Sequence, residues 1–426
     1  MNGLQSASVS LSSVLSAESP APILKQHMIH RHTTTQPHLA SRGAFLDRND
    51  ILFLTALLIC SLTFSLTLYL RGDPITPPGP SFAIASSTKA IWENGSLTSH
   101  HAQAVFDAAQ ALSKSMQSDV WQDVFAQDAR GNLVPKHSVI SSFIAAPFYG
   151  LFGEIGFWVC QQFFFFVLSY CFYRCVTTLS GASAPLTSLL ALGLLSPAIA
   201  ASYTFVYDLH GLTFIVAGLL LSRTHPFLGG LVLGCSVFVR PSNLLVIVPL
   251  LFAWTDPKHL GGVIKGGLGV LCALGALCLY NVLLWGDPFT TAYSYLPLFS
   301  RGDVVIQRHP LGFDHHEFTR DWQGKLFGPE GLFSRYGTLA TIPCAIWMAL
   351  RSSRRIFYGS CLIAAALNTA YVFSYSMWDP GVSPHRFFLP SIVLCLIPFT
   401  VFVGRIETWL RNRSASLPHV DGVIRR

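Results

Sequence analysis

The chain has 426 residues, of which 51% are hydrophobic and only 12% are charged. A soluble domain carries about 25% charged residues, so this composition excludes a soluble globular enzyme and indicates a polytopic membrane protein. The formal charge of +7 collects in the tails and short loops, a positive-inside pattern and not a nucleic-acid-binding one.

Residues 1–49 are rich in Ser, His, Thr and Pro without apolar periodicity, and are expected to form a disordered cytoplasmic tail. Ile51 to Leu70 is an unbroken apolar run, long enough to cross a bilayer as a helix. It starts far from Met1 and no small-residue cleavage site follows it, so it is expected to be an uncleaved anchor. The chain leaves this run at Arg71-Gly72-Asp73 and stays mostly polar to Lys136-His137. Within that first loop, 80–95 reads as a short helix ending at a Gly cap. Residues 101–117 have helical apolar spacing that suits either an interfacial helix or a helix packed on the loop's own core.

Further apolar stretches follow at 138–152, 156–176, 184–200, 203–222, 227–254, 262–285, 332–350, 356–377 and 386–404. The expectation is an all-α membrane protein of about ten transmembrane helices. The 138–152 stretch is short enough either to span or only to dip into the membrane. The 227–254 stretch contains Arg240-Pro241 and reads as one broken helix or two short ones. The expected membrane domain is 50–405, with a basic cytoplasmic tail at 406–426. Basic residues cluster in the N-terminal tail, at Arg351, Arg354 and Arg355, and in the C-terminal tail, so these should share the cytoplasmic face. The long loops 71–137 and 286–331, and the turn 378–385, then lie opposite, with most of the acids, His and Trp.

Several residues could carry chemistry. Asp73, in Gly72-Asp73-Pro74, is either a turn aspartate or a carboxylate held at the membrane surface for catalysis. A second copy, Gly286-Asp287-Pro288, shows how ordinary that turn is. Lys136, beside His137, would suit a lipid phosphate at the interface or would simply snorkel. Arg240 is either an intramembrane functional cation or a turn residue between two short helices. Arg386 opens the last span as a phosphate ligand or a boundary charge. Asp208, in Tyr207-Asp208-Leu209-His210, is read as structurally paired. Asp314-His315-His316-Glu317 has metal-ligand residue types, but adjacent ligands point apart on any regular element, so no metal is expected. The ten cysteines lie in apolar runs without a CxxC pair, which argues against disulfides or zinc. They read as small buried apolar residues.

The order of these motifs resembles the polytopic glycosyltransferases of the GT-C fold. The similarity is greatest to the bacterial relatives of the protein mannosyltransferases and the aminoarabinose transferases (glycosyltransferase family 39-like). It rests on Asp73 after the first helix, then Ile91-Trp92-Glu93-Asn94-Gly95-Ser96-Leu97 and Gly131 to His137. These precede Ala146-Pro147-Phe148-Tyr149-Gly150-Leu151-Phe152-Gly153. It continues with Gly230 to Gly234 and Val239-Arg240-Pro241, then Tyr280-Asn281 with Trp285 to Phe289. Phe327 to Phe333 and Arg386-Phe387-Phe388-Leu389-Pro390 close it. The chain departs from the family in having Pro74 where a second acid often stands, and Lys136-His137-Ser138-Val139 in place of a Pro-rich element.

The resemblance implies a polyprenyl-phosphate-linked sugar as donor and a lipid, glycan or protein acceptor. It implies an extracytoplasmic active face, in a membrane such as the bacterial inner membrane, and inversion at the anomeric carbon without cofactor. Asp73 would be the general base, with Lys136, His137, Arg240 and Arg386 at the donor phosphate. The competing readings are a transporter or lipid-linked-sugar flippase, against which the absence of an internal repeat counts, and a non-catalytic subunit of an envelope-polysaccharide system.

Overall fold

The structure, a computed structural model, describes residues 48–72, 80–97, 125–130, 133–136, 138–180, 188, 205–254, 260–290, 322–328, 333, 338–374 and 387–415. All of them fall within one compact unit, Leu46–Arg426. The expected span 184–200, apart from residue 188, lies outside the described residues. So do Asp73, His137, Arg386, the 101–117 helix, the 378–385 turn, the Asp314–Glu317 cluster, nearly all of the 1–49 tail and most of both long loops.

Twelve helices and one two-stranded antiparallel sheet are present among the described residues. In chain order they are α1 (Arg48–Leu70), α2 (Pro80–Asn94), β1 (Phe125–Gln127), β2 (Leu133–Pro135), α3 (Val139–Phe152), α4 (Ile155–Ser180), α5 (Asp208–Leu221) and α6 (Pro226–Val239). They continue with α7 (Asn243–Leu250), α8 (Gly261–Trp285), α9 (Trp322–Phe327), α10 (Thr338–Arg351), α11 (Arg355–Phe373) and α12 (Leu389–Ala415). Five are long and apolar enough to cross a membrane: α1, α4, α8, α11 and α12. Three shorter apolar helices, α3, α5 and α6, accompany them. The expectation of about ten spans is therefore matched by length and composition in five helices.

Contacts fix the direction of each helix. Gln162 of α4 accepts from Ser61 of α1 and donates to Ser65 at 3.1 Å. Lower on the same pair, Arg174 donates to Asp50 at 3.2 Å and Tyr173 stacks on Phe53 with centroids 4.4 Å apart. So α4 runs antiparallel to α1. Such interhelical hydrogen bonds are worth about 0.6–2 kcal/mol each in a membrane, and they lock this register. Helix α5 runs parallel to α4, since Gln161 donates to the Val206 carbonyl at 3.0 Å and Arg223 to Thr178 at 3.2 Å. The end of α4 and the start of α5 thus lie at opposite ends of the bundle.

The 227–254 stretch is two helices. Chain reversal at Arg240-Pro241-Ser242 puts α6 and α7 in a hairpin. Asn243 donates back to the Ser236 carbonyl at 2.9 Å, and Trp254 reaches the Leu219 carbonyl. Proline lacks the N–H that a continuous helix would need. Parallel to α6, α8 packs at glycine distance: a methyl group at Gly230 would overlap the Gly266 carbonyl, and one at Gly269 the Phe227 carbonyl. Helix α8, like α1, has only 22% of its apolar window buried against 67% for α12, which makes α12 central and these two peripheral.

One end of the bundle is basic. Arg174, Arg223, Arg351, Arg354, Arg355 and Arg405 lie there, tied through Trp254 to Arg223 (5.8 Å) and to Phe357 (4.6 Å), and through Arg405 to Met348. The described members of the three basic clusters therefore share one end. The described parts of both long loops share the other. Ala129 donates to the Leu284 carbonyl at 2.9 Å, Val134 packs on Trp285, and Lys325 of α9 donates to the Phe373 carbonyl at 2.8 Å.

Helix α3 resolves the short 138–152 stretch. Its 14 residues extend about 21 Å, short of a hydrocarbon core of about 30 Å. The strand before it and α4 after it both start at the loop end. So α3 stays at the loop end and does not span. It packs parallel to α2, with Ser142 donating to the Ile84 carbonyl at 3.1 Å and Trp92 filling the space at Gly150. The expected helix at 80–95 is α2, stopped by Gly95 at φ 64. At the other terminus α12 continues through Ala415, so the first part of the expected 406–426 tail is helix. Ile406, Trp409 and Leu410 keep it apolar on one side.

Candidate active site

The polar centre of the loop end starts at the α6–α7 hairpin. Arg240 caps α6 in extended backbone, and its Nε donates to Asp208 Oδ1. The Arg240 side chain is 16% exposed and that of Asp208 4%, so this is a nearly desolvated pair. The guanidinium also lies 4.0 Å from the Phe387 ring centroid and 5.4 Å from that of Tyr207. A cavity of about 20 Å³, room for one water, opens beside it between Asn243, Asn368 and Tyr371. Asn368 fixes the neighbouring strand of chain by donating to the Phe387 carbonyl at 3.0 Å and to Ser391 at 2.9 Å.

These contacts decide between the two readings of Arg240's surroundings. Arg240 is a turn residue at a hairpin apex, balanced by a carboxylate, and not a lone cation within a span. Asp208 is paired, as its sequence position suggested.

The same first turn of α5 carries His210. That side chain is fully buried, with Nδ1 sharing a hydrogen bond with Ser141 Oγ at 2.9 Å. Ser141 and Ser138 share another at 2.5 Å. Ser138 has φ 39, the one positive value among the described non-glycine residues. Such backbone persists only where surroundings over-determine it, and is concentrated at functional sites. Two residues before it, Lys136 is buried at 6% exposure. Lys136 and Arg240, far apart in sequence, thus both lie buried or nearly so at the loop end of the bundle.

The remaining predicted residues, Asp73, His137 and Arg386, lie outside the described residues, although their neighbours Gly72 and Phe387 are at this end. Gly72 ends α1 at φ 79 and Gly286 ends α8 at φ 75. In the second Gly-Asp-Pro, Asp287 accepts from the Phe289 N–H at 2.7 Å, which is turn chemistry.

Beside the polar centre is an apolar cavity of about 360 Å³ between α10, α11 and α12, lined by Ile342, Leu362, Ala366, Phe373, Ile392 and Cys395. Leu326 also lines it, next to the buried Lys325. On the outer flank, Lys89 pairs with Glu154 and Tyr149 donates to Glu93 at 3.2 Å. Burial first, then the Glu93 carboxylate, raise the Tyr149 phenol above its usual 10.0. Among the described residues no three His, Cys, Asp or Glu side chains converge to hold a metal. The cysteines are unpaired; Cys60 and Cys272 are exposed on the peripheral helices α1 and α8 rather than buried as expected, while Cys160, Cys175, Cys361 and Cys395 are buried.

Sequence reading missed His210, Ser138, Ser141 and Lys325. The serines at 138, 141 and 142 carry helical spacing, but only the fold brings them to α5.

No protein-family model and no curated protein matches the sequence. Among solved structures the fold is similar to the crystal structure of ArnT from Cupriavidus metallidurans bound to undecaprenyl phosphate. The TM-score is 0.51 at 14% identity, over 85% of this chain. The chain spans 63% of the length of that structure. The protein is thus an integral membrane protein whose helical fold is similar to that of ArnT.

Proposed function

We propose that this chain is an integral-membrane glycosyltransferase that moves a sugar from a polyprenyl-phosphate donor to a lipid, glycan or protein acceptor, with inversion, on the extracytoplasmic face. The observation that carries this reading is the meeting of buried cations and an interhelical apolar cavity at one end of the bundle. A polyprenyl phosphate has that pair of needs: an apolar slot for the chain and positive charge for the head. The fold similarity to a structure solved with undecaprenyl phosphate supports the same ligand class.

In this reading the prenyl chain enters beside α11 and α12. Lys136, His137 and Arg386 face the phosphate, and preorganised cations there stabilise the leaving group as its charge grows. Arg240, already balanced by Asp208, completes that wall. Asp73 at the exit of α1 takes the acceptor's proton as general base.

Lys136→Ala and Arg386→Ala should each raise the apparent KM for the lipid-linked donor, measured in membranes at matched protein abundance. Unchanged donor dependence in both would place the phosphate elsewhere.

A further inference from the structure

We propose that His210 is a positioning residue that fixes the first turn of α3, and with it Lys136; the functional consequence rests on the reading of Lys136 as a phosphate ligand. A fully buried histidine on an apolar helix is most often a satisfied core residue. Here its ring joins three elements. Nδ1 bonds Ser141 of α3, Nε2 faces the Cys160 sulfur of α4 at 3.9 Å, and the ring lies 4.3 Å from the Phe164 centroid. Ser141 passes the constraint to Ser138. Ser138 holds left-handed backbone without glycine's freedom, so something must hold it there. The Ser138–Ser141–His210 chain meets that need. The same turn of α5 carries Asp208, which holds Arg240. One turn of helix therefore sets the places of two cations.

The test compares two substitutions that keep different atoms of the ring. His210→Asn places an amide near the Nδ1 position and can still bond Ser141. His210→Gln reaches toward Nε2 and cannot. With full-length protein in lipid nanodiscs, hydrogen exchange of residues 136–142 and the Kd for undecaprenyl phosphate are measured. His210→Gln and Ser141→Ala should each speed exchange in that segment and weaken undecaprenyl phosphate about tenfold, the scale of one lost buried hydrogen bond. Combining them should add little, because both break one link. His210→Asn should restore slow exchange and affinity. Normal exchange in His210→Gln, or equal loss in the Asn and Gln variants, would overturn the proposal. Faster exchange with unchanged affinity would support the clamp and instead remove Lys136 from the phosphate site. Should the His210 variants fail to fold, Ser141→Ala, which deletes a single oxygen, decides between the same outcomes.

Discussion

A buried guanidinium is costly unless a carboxylate comes with it, and Arg240 has Asp208. Removing one partner leaves the other charge stranded, so Asp208→Ala should destabilise the protein by about 3–5 kcal/mol. Replacing both by apolar residues of similar size, Asp208→Leu with Arg240→Met, should recover much of that. Thermal unfolding in detergent of the two single variants and the double variant reads this directly. A double variant as unstable as the sum of the singles would show the two residues acting independently. Part of this site was legible in sequence: Arg240-Pro241 announced a break, and an acid at a helix start announced a pair. Their pairing with each other was not legible, because the partners are 32 positions apart. Nor was the left-handed backbone at Ser138, whose partner Ser141 is bonded in turn to His210 of α5, 69 positions further on.

At the scale of elements, hydropathy located most helices because a bilayer demands long apolar runs and satisfied backbone. It could not say whether a short run spans. The answer for α3 came from the direction of α4, which polar contacts with α1 impose. Close packing of α6 on α8 was visible only as scattered glycines. It rests on backbone contact at Gly230 and Gly269, the small-residue mode of membrane helix association. Gly230→Leu should force α6 and α8 apart and lower the midpoint of thermal unfolding by several degrees, as expected for an overpacked contact costing about 1–3 kcal/mol. Gly275→Leu, on α8 with open space where its side chain would stand, should not. Equal effects would mean that the α6–α8 contact is not the close one described.

For the whole molecule, the arrangement separates a basic end from a loop end, and in the topology we propose, following the positive-inside rule, the basic end faces the cytoplasm. Cysteines introduced at Arg130 and Glu154, before and after α3 in the chain and both exposed, should be labelled from the same face of intact vesicles. One at Arg354 should be labelled only from the other. Labelling of Arg130 and Glu154 from opposite faces would make α3 a span and overturn this topology. The central claim is sugar transfer from a lipid-linked donor with Asp73 as base. It is tested most directly by incubating membranes containing the full-length protein with labelled polyprenyl-phosphate sugars and identifying the labelled product. The account predicts transfer by the natural chain, and a loss of about a hundredfold to ten-thousandfold in rate for Asp73→Asn at equal membrane abundance. No transfer from any such donor, or equal transfer by Asp73→Asn, would contradict it.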